Sequence, residues 1–300
     1  MERITTLKGI IEAARQKGPV PAAIVAPYDQ ATLEAVSAGV EHGLIVPEYF
    51  GEGKRIRELL AESGLNPDQA AICEAGDDPV QPAIDSIRSG KNRLLMKGSV
   101  STPRLMKACL DKSRGLNVGK ACCHVIVCEI PGREGLLIVS DGGLNVLPGL
   151  EQKADIIRNM VGLSQNIGIE TPRVAVLSSL EEVSPAIPST LDAAILTQMA
   201  RRGQIKGAIV DGPLALDNIV DALAAKKKGI VSEVAGRADA ILVPNIETGN
   251  VLGKCLGYFA GSVNAGIVLG AAVPIILPSR AGKPEAKWGS LALGVLTTGN

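Results

Sequence analysis

The sequence predicts an α/β protein. Short aliphatic runs alternate with helix-period segments almost from end to end, one hairpin signal interrupts that rhythm, and glycine is abundant, at 34 of 300 residues. Strands alternating with helices imply sheets that are mostly parallel. A prior of roughly 150 residues per domain gives about two domains. A chain of this length can bury roughly 73% of its unfolded surface, so it needs no disulfide or metal to hold it together.

The opening MERITTLKGIIEAARQKG reads as an amphipathic helix and lacks a signal-peptide apolar run. The run AAIVA at 22–26 is a strand, followed by a helix over 29–39. GLIV at 43–46 precedes a charged helix near 53–62, and 70–73 leads to a helix near 79–89. RLLM at 93–96 leads to a helix near 102–112. Two strand-like runs then come in succession, 121–130 and 135–139. Pro131-Gly132-Arg133-Glu134 joins them as a hairpin, the candidate domain crossing. Alternation resumes with a helix over 150–166, a strand at 173–177, a helix over 188–202, a strand at 207–210 and one helix over 215–227. A strand at 240–243, a helix over 247–260 and strands at 266–270 and 274–277 follow. The last helix starts at Pro284, a residue suited to a first helical turn.

Composition excludes several classes. Thirty-one Lys+Arg balance 31 Asp+Glu, which argues against a nucleic-acid surface. The run Lys226-Lys227-Lys228 reads as a last helical turn, where cations suit the macrodipole. Aromatics are 2%, too few for base stacking. The six cysteines form no Cys-x-x-Cys pair and only His42 and His124 accompany them, so a structural zinc site is not expected. They read as buried free thiols of a reducing, cytoplasmic compartment. No apolar run of about 18 residues exists to span a membrane.

Polar residues gather where apolar strands stop: Lys97-Gly98-Ser99, Asp141-Gly142-Gly143, Asp211-Gly212-Pro213, Pro244-Asn245 and Pro278-Ser279-Arg280. In open α/β sheets, ligands bind outside the carboxyl ends of strands. Each end alone could be an ordinary strand-to-helix turn; the set carries four charges where neutral turn residues would serve. Ser279-Arg280 is the sharpest candidate: a guanidinium fork suits phosphate or carboxylate, Gly282 allows close approach, and the next helix offers free N–H groups. Asn245, Glu247, Gly249 and Asn250 are either a polar binding turn or a helix start with acidic dipole compensation. Ser101 and Thr102 are either ligand contacts or an N-cap. No G-x-G-x-x-G follows a strand, Gly51-Glu52-Gly53-Lys54-Arg55 is only part of a phosphate loop, and no G-x-S-x-G elbow occurs. His124 sits inside an apolar strand and reads as core.

At these residues the chain resembles the phosphate acetyl/butyryltransferase family and looks closest to its butyryl branch. The resemblance rests on KGSVSTPRLMKACLDKSRGLNVGK (97–120), SDGGLNVLPGLEQKADI (140–156), VDGPLALDN (210–218), SEVAGRADAILVPNIETGN (232–250) and VPIILPSRAGKPEAK (273–287). It covers roughly residues 90–300; the pairing of DGPLALDN with VPNIETGN is its specific part. It implies two three-layer α/β domains with a cleft between them, similar to the isocitrate/isopropylmalate dehydrogenase-like fold. The first domain would hold residues 1–130 and 270–300, and the inserted second domain 131–269.

The resemblance also implies a homodimer or higher homo-oligomer, no bound cofactor or metal, and acyl-CoA and phosphate as substrates. The reaction is acyl-CoA plus phosphate to acyl phosphate plus CoA, by direct transfer in a ternary complex. Ser279 and Arg280 match the family's reacting pair. Substrate binding falls to Lys97, Gly98, Ser101, Thr102, Asp141, Asn145, Asp211, Gly212, Pro213, Asn245, Glu247, Gly249 and Asn250. Two departures stand out. The acetyl branch carries its presumed base at the position of Ala286, and the butyryl branch carries Asp at that of Gly282; Glu285 is the candidate base here. Lys120 is the only basic residue where the acetyl branch has a phosphate-binding Arg. Two further readings compete: a metal- and NAD-dependent hydroxy-acid dehydrogenase of similar fold, using Asp211, Asp217 and Asp221, and a non-catalytic CoA- or acyl-phosphate-binding module.

Overall fold

The computed structural model describes residues 2–278 and 283–299. In chain order the elements are α1 (Leu7–Lys17), β1 (Val20–Val25), α2 (Gln30–Glu41), β2 (Ile45–Gly51), α3 (Gly53–Glu62), β3 (Ala71–Glu74), α4 (Val80–Arg88), β4 (Leu94–Lys97) and α5 (Thr102–Cys109). Then come β5 (Cys123–Glu129), β6 (Leu137–Ser140), α6 (Leu150–Asn166), β7 (Arg173–Leu177), α7 (Pro188–Arg201), β8 (Ile209–Leu214), α8 (Leu216–Val220), α9 (Ala222–Lys227) and β9 (Ala240–Leu242). Last are α10 (Ile246–Tyr258), β10 (Val263–Leu269), β11 (Ile275–Ile276) and α11 (Pro284–Thr297). Among the described residues no helix is long and apolar enough to cross a membrane.

The chain divides into two compact units. One holds Leu7–Lys120 and Ala265–Asn300; the other holds Met1–Thr6 and Ala121–Asn264. The breaks fall at 120/121 and 264/265, where the sequence places them at 130/131 and 269/270. Both strands of the β5–β6 hairpin belong to the second unit.

In the first unit the strands run in the order β3-β2-β1-β4-β11-β10. β3, β2, β1, β4 and β11 are mutually parallel, so their carboxyl ends share one edge. Ala22, Ala23, Ile24 and Val25 of β1 are all buried, as a central strand covered on both faces requires. α11 packs on α1 and α2. Lys17 fastens the end of that packing by donating to the Thr298 carbonyl at 2.5 Å. Burial and the neighbouring Arg93 together hold the Lys17 pKa below its usual value.

In the second unit the order is β5-β6-β9-β7-β8. β5 and β6 are antiparallel; β6, β9, β7 and β8 are parallel. Val139, Ala175 and Ile241 from the sheet pack with Ile219, Ala225, Val234 and Ala235. The first residues of the chain join this unit through Arg3, whose Nη2 lies 2.7 Å from Oδ1 of the buried Asp239.

Two segments differ from the sequence expectation. The single helix over 215–227 is two helices, because Asp221 takes an extended conformation and its carboxylate accepts from the Leu223 N–H at 2.7 Å, capping a fresh start. Asp211-Gly212-Pro213 lies inside β8, with no strand end there. The β7–β8 register shifts between Ala175↔Asp211 and Leu177↔Leu214, and that irregularity carries the strand through the glycine and proline.

Candidate active site

In the first unit the candidate residues stand at the carboxyl edge of the parallel strands. Lys97 ends β4, and its ammonium folds back on its own turn, donating to the carbonyls of Gly98 at 3.0 Å and Val100 at 3.2 Å. Gly98 is pressed against the carbonyls of Val25 and Ala26, so no side chain fits there. The turn is sewn to β1 by Gly98 N–H to Val25 O (2.8 Å), Ser99 N–H to Ala26 O (2.7 Å) and Ser99 Oγ to Asp29 Oδ2 (3.0 Å). Ser101 caps α5 by accepting from the Arg104 N–H at 3.3 Å, and Thr102 is that helix's first residue. The capping role is therefore real, and it aims the N-terminus of α5 at this edge.

Two residues on the same edge escape the sequence reading, Tyr28 and Asp29. Arg55, read there only as part of an incomplete phosphate loop, stacks 4.1 Å over the Tyr28 ring, whose hydroxyl accepts from the Glu52 N–H at 2.7 Å, and Asp29 caps α2. The signal for Tyr28 and Asp29 is the polar stop after β1, Ala26-Pro27-Tyr28-Asp29, which matches the pattern of the other strand ends. The stretch Gly51–Arg55 is spoken for by protein groups, since the Gly53 N–H donates to Glu74 Oε2 at 2.8 Å.

Glu285 is exposed in the first turn of α11. Ser279, Arg280 and Gly282 lie outside the described residues. A hollow of about 580 Å³ beside this turn is lined by Glu34, Glu41, Glu62, Leu33, Lys287 and Trp288 among others. Three carboxylates against one lysine, itself paired with Glu34 at 3.2 Å, make it unsuited to anionic substrates.

In the second unit, Asp141 follows β6 and is buried. Its Oδ1 accepts from the Gly143 N–H (2.8 Å) and Leu144 N–H (3.0 Å), and its Oδ2 from the Asn145 N–H (3.1 Å) and side-chain amide (2.6 Å). A buried carboxylate is stable only with such partners. It winds residues 141–145 into a tight loop, and Asn145 ties that loop to the Cys122 carbonyl at 2.7 Å. Asn245 caps α10, accepting from the Thr248 N–H at 2.9 Å. Gly249 then meets the Asp141–Gly142 backbone directly, and Asn250 Nδ2 donates to the Gly142 carbonyl at 3.3 Å. Glu247 is exposed on the outer face of α10. Thus Asp141, Asn145, Asn245, Gly249 and Asn250 are brought together. In β8, Gly212 packs against Val176 and Ala193, Pro213 is buried, and Asp211 Oδ1 accepts from the Gly212 N–H at 3.0 Å.

His124 lies beside this loop. Its Nδ1 is buried with no hydrogen-bond partner, and a β-carbon on Gly143 would stand 3.0 Å from it. Burial pushes the imidazole pKa below 6.5, and Asp141 opposes that shift in part. The nearby thiols are inert: burial pushes Cys122 up to about 11 and Cys123 up to about 12. Asp211, Asp217 and Asp221 each have a separate partner: the Gly212 N–H, Lys228 Nζ at 3.0 Å and the Leu223 N–H. Among the described residues no three His, Cys, Asp or Glu side chains cluster as a metal site.

The family described as phosphate acetyl/butaryl transferase matches residues 51–295. A phosphate acetyltransferase of Thermotoga maritima is 44% identical over 296 residues, covering 97% of this chain and 99% of its own. A phosphate butyryltransferase of Clostridium acetobutylicum is 39% identical, covering 99% of each. A branched-chain phosphotransacylase of Enterococcus faecalis V583 superposes with a TM-score of 0.80 at 24% identity, over 93% of this chain and 99% of that one. A 4-hydroxythreonine-4-phosphate dehydrogenase structure from Salmonella typhimurium shares the fold at a TM-score of 0.51 and 14% identity, over 93% of this chain and 99% of that one. The chain is an acyltransferase that acts with phosphate. It belongs to the phosphate acetyl/butyryl transferase family.

Proposed function

We propose that the protein interconverts a short-chain acyl-CoA and inorganic phosphate with acyl phosphate and CoA, with butyryl the preferred acyl group. The observation that carries the acyl-transfer part of this reading is the family match running through both units, from residue 51 to 295. In the acyl phosphate direction of attack, the CoA sulfur adds to the acyl carbon, the bond from that carbon to the phosphate oxygen breaks, and phosphate leaves. The thiol proton passes to a base, for which Glu285 is our candidate. No covalent enzyme intermediate is needed when both substrates are held together, which is the ternary-complex reading.

Ser279 and Arg280 are assigned the reacting groups, since a guanidinium fork and a hydroxyl can stabilise the phosphate and developing oxyanion. The N-terminus of α5, presented by Ser101 and Thr102 next to Lys97 and Gly98, supports an anion-binding role for that edge. The Asp141–Asn145 loop and the Asn245–Asn250 turn, with Asp211, Gly212 and Pro213, are assigned to substrate positioning. The enzyme works as a cytoplasmic homodimer and uses CoA and phosphate as substrates, with no resident cofactor. The T. maritima relative's name supports acetyl as the second choice of acyl group.

A panel of acetyl-, propionyl- and butyryl-CoA at fixed phosphate, read by thiol release, tests the reading. Phosphate-dependent release fastest with butyryl-CoA is the expected result. Release fastest with acetyl-CoA moves the substrate to the second choice, and no phosphate-dependent release overturns the function.

A further inference from the structure

We propose that Arg55, held over the Tyr28 ring at the carboxyl edge of the first unit's sheet, binds a phosphate group at the nucleotide end of CoA. This rests on the acyl-CoA reading above and adds a substrate contact to it. The stretch Gly51–Arg55 has part of the pattern of a phosphate loop, yet it cannot work as one. The Glu52 N–H donates to the Tyr28 hydroxyl at 2.7 Å and the Gly53 N–H to Glu74 Oε2 at 2.8 Å, so those backbone donors are taken. What the stretch leaves open is the guanidinium.

Its placement follows from the strand register. Phe50, Val25 and Lys97 lie in one row across β2, β1 and β4. The segments that follow them, 52–55, 28–29 and 98–101, are therefore neighbours on one edge. Adjacent strands are about 4.8 Å apart, so about 10 Å separates the end of β2 from that of β4. Asp29 links the middle segment to the last, its Oδ2 accepting from Ser99 Oγ at 3.0 Å. A β-carbon on Gly51 would collide with the Tyr28 hydroxyl, so that glycine makes room for the ring. The ring is half-buried and fixed at its hydroxyl, and the Arg55 guanidinium carbon lies 4.1 Å from its centroid. A guanidinium held this way keeps a preformed fork of donors for a phosphate.

The charges around it are committed elsewhere. The Lys97 ammonium donates to the carbonyls of Gly98 and Val100, and Arg104 pairs with Asp78 at 3.2 Å. Asp29 accepts from Thr32 and Ser99, and Glu74 from Gly53. Among the described residues no carboxylate pairs with Arg55, and it is exposed with Lys54 beside it. CoA carries its phosphates a whole pantetheine arm away from the thiol. A cation two strands from Lys97 therefore suits the tail of the substrate, while the reacting phosphate stays with Arg280.

Calorimetric titration of the full chain with CoA, dephospho-CoA and pantetheine, wild type against Arg55→Ala, tests the assignment. The Kd for CoA is expected to rise about tenfold or more, and that for pantetheine, which has no phosphate, to stay the same. A Kd for dephospho-CoA that does not move places the contact on the 3′-phosphate; one that rises with that of CoA places it on the pyrophosphate. Arg55→Met, which keeps the side-chain stem on the ring, should behave like Arg55→Ala, and Tyr28→Leu should give a smaller rise with the same selectivity. In thiol release the loss should fall on KM for acyl-CoA, with KM for phosphate unchanged. An unchanged Kd for CoA, an equal rise for all three ligands, or a raised KM for phosphate overturns the proposal. A chain that binds CoA through Arg55 without phosphate-dependent thiol release keeps this contact and loses the proposed reaction. A chain that releases thiol and binds CoA equally well without Arg55 keeps the reaction and loses the contact.

Discussion

Gly249, in the first turn of α10, lies so close to the backbone of Asp141 that no side chain fits between them. A β-carbon there would sit 2.8 Å from the Gly142 Cα and closer still to the Asp141 carbonyl oxygen. Gly249→Ala is therefore expected to push α10 off the loop and cost about 1–3 kcal/mol. Thermal unfolding with activity measured on the same samples checks it. An unchanged melting temperature would mean that the contact yields without strain.

The carboxylate of Asp141 accepts four hydrogen bonds from its own loop. Asp141→Ala leaves those donors without an acceptor in a buried place and should destabilise the fold by about 3 kcal/mol or more. Asn145→Ala removes the two donors of one amide and should cost less. Urea titrations of the two variants rank them, and the reverse order would refute this account of the loop.

His124 makes stability depend on pH. Its folded pKa lies below 6.5, chiefly because of burial. Between that folded value and about 6.5 the unfolded chain binds the extra proton. This contribution is full above about pH 6.5, declines as the pH falls below it, and levels off beneath the folded pKa. Urea midpoints at about pH 7.5 and about pH 5.5 should drop less for His124→Gln than for the wild type. Equal drops would show that the carboxylates alone set the slope.

Lys153 of α6 is 5% exposed at its side chain and reaches Asp192 of α7 at 2.6 Å. Asp192→Ala strands a buried ammonium and is expected to cost about 3–5 kcal/mol. Lys153→Met should cost clearly less, since it removes the charge and keeps the packing. Chemical denaturation of both variants gives the comparison.

Arg280→Ala should lower kcat/KM for acyl transfer by about 10²–10³ while the melting temperature stays at the wild-type value. A near-normal rate would take Arg280 out of the reaction.

Local pattern and distant pairing divided the labour in this chain. α6, with its 17 residues, and β7 begin and end where periodicity alone puts them, because an amphipathic helix and a buried strand announce themselves in adjacent residues. Asp221 broke the expected helix because one side chain competed for a backbone N–H, a choice that hydrophobic period does not display. Tyr28 and Asp29 went unread since their partners Glu52, Arg55 and Ser99 come from turns and a helix that follow other strands.

The amino-acid order by itself determined the alternation of strands and helices, the polar strand ends and the family to which they belong. Tertiary structure alone decided that Arg3 pairs with Asp239, 236 residues away, and that Gly249 lies against the backbone of Asp141 and Gly142. It also decided that Nδ1 of His124 is buried beside the loop after β6 without a hydrogen-bond partner. Such contacts form only after loop closure brings remote segments together. No neighbouring residue therefore records them in advance.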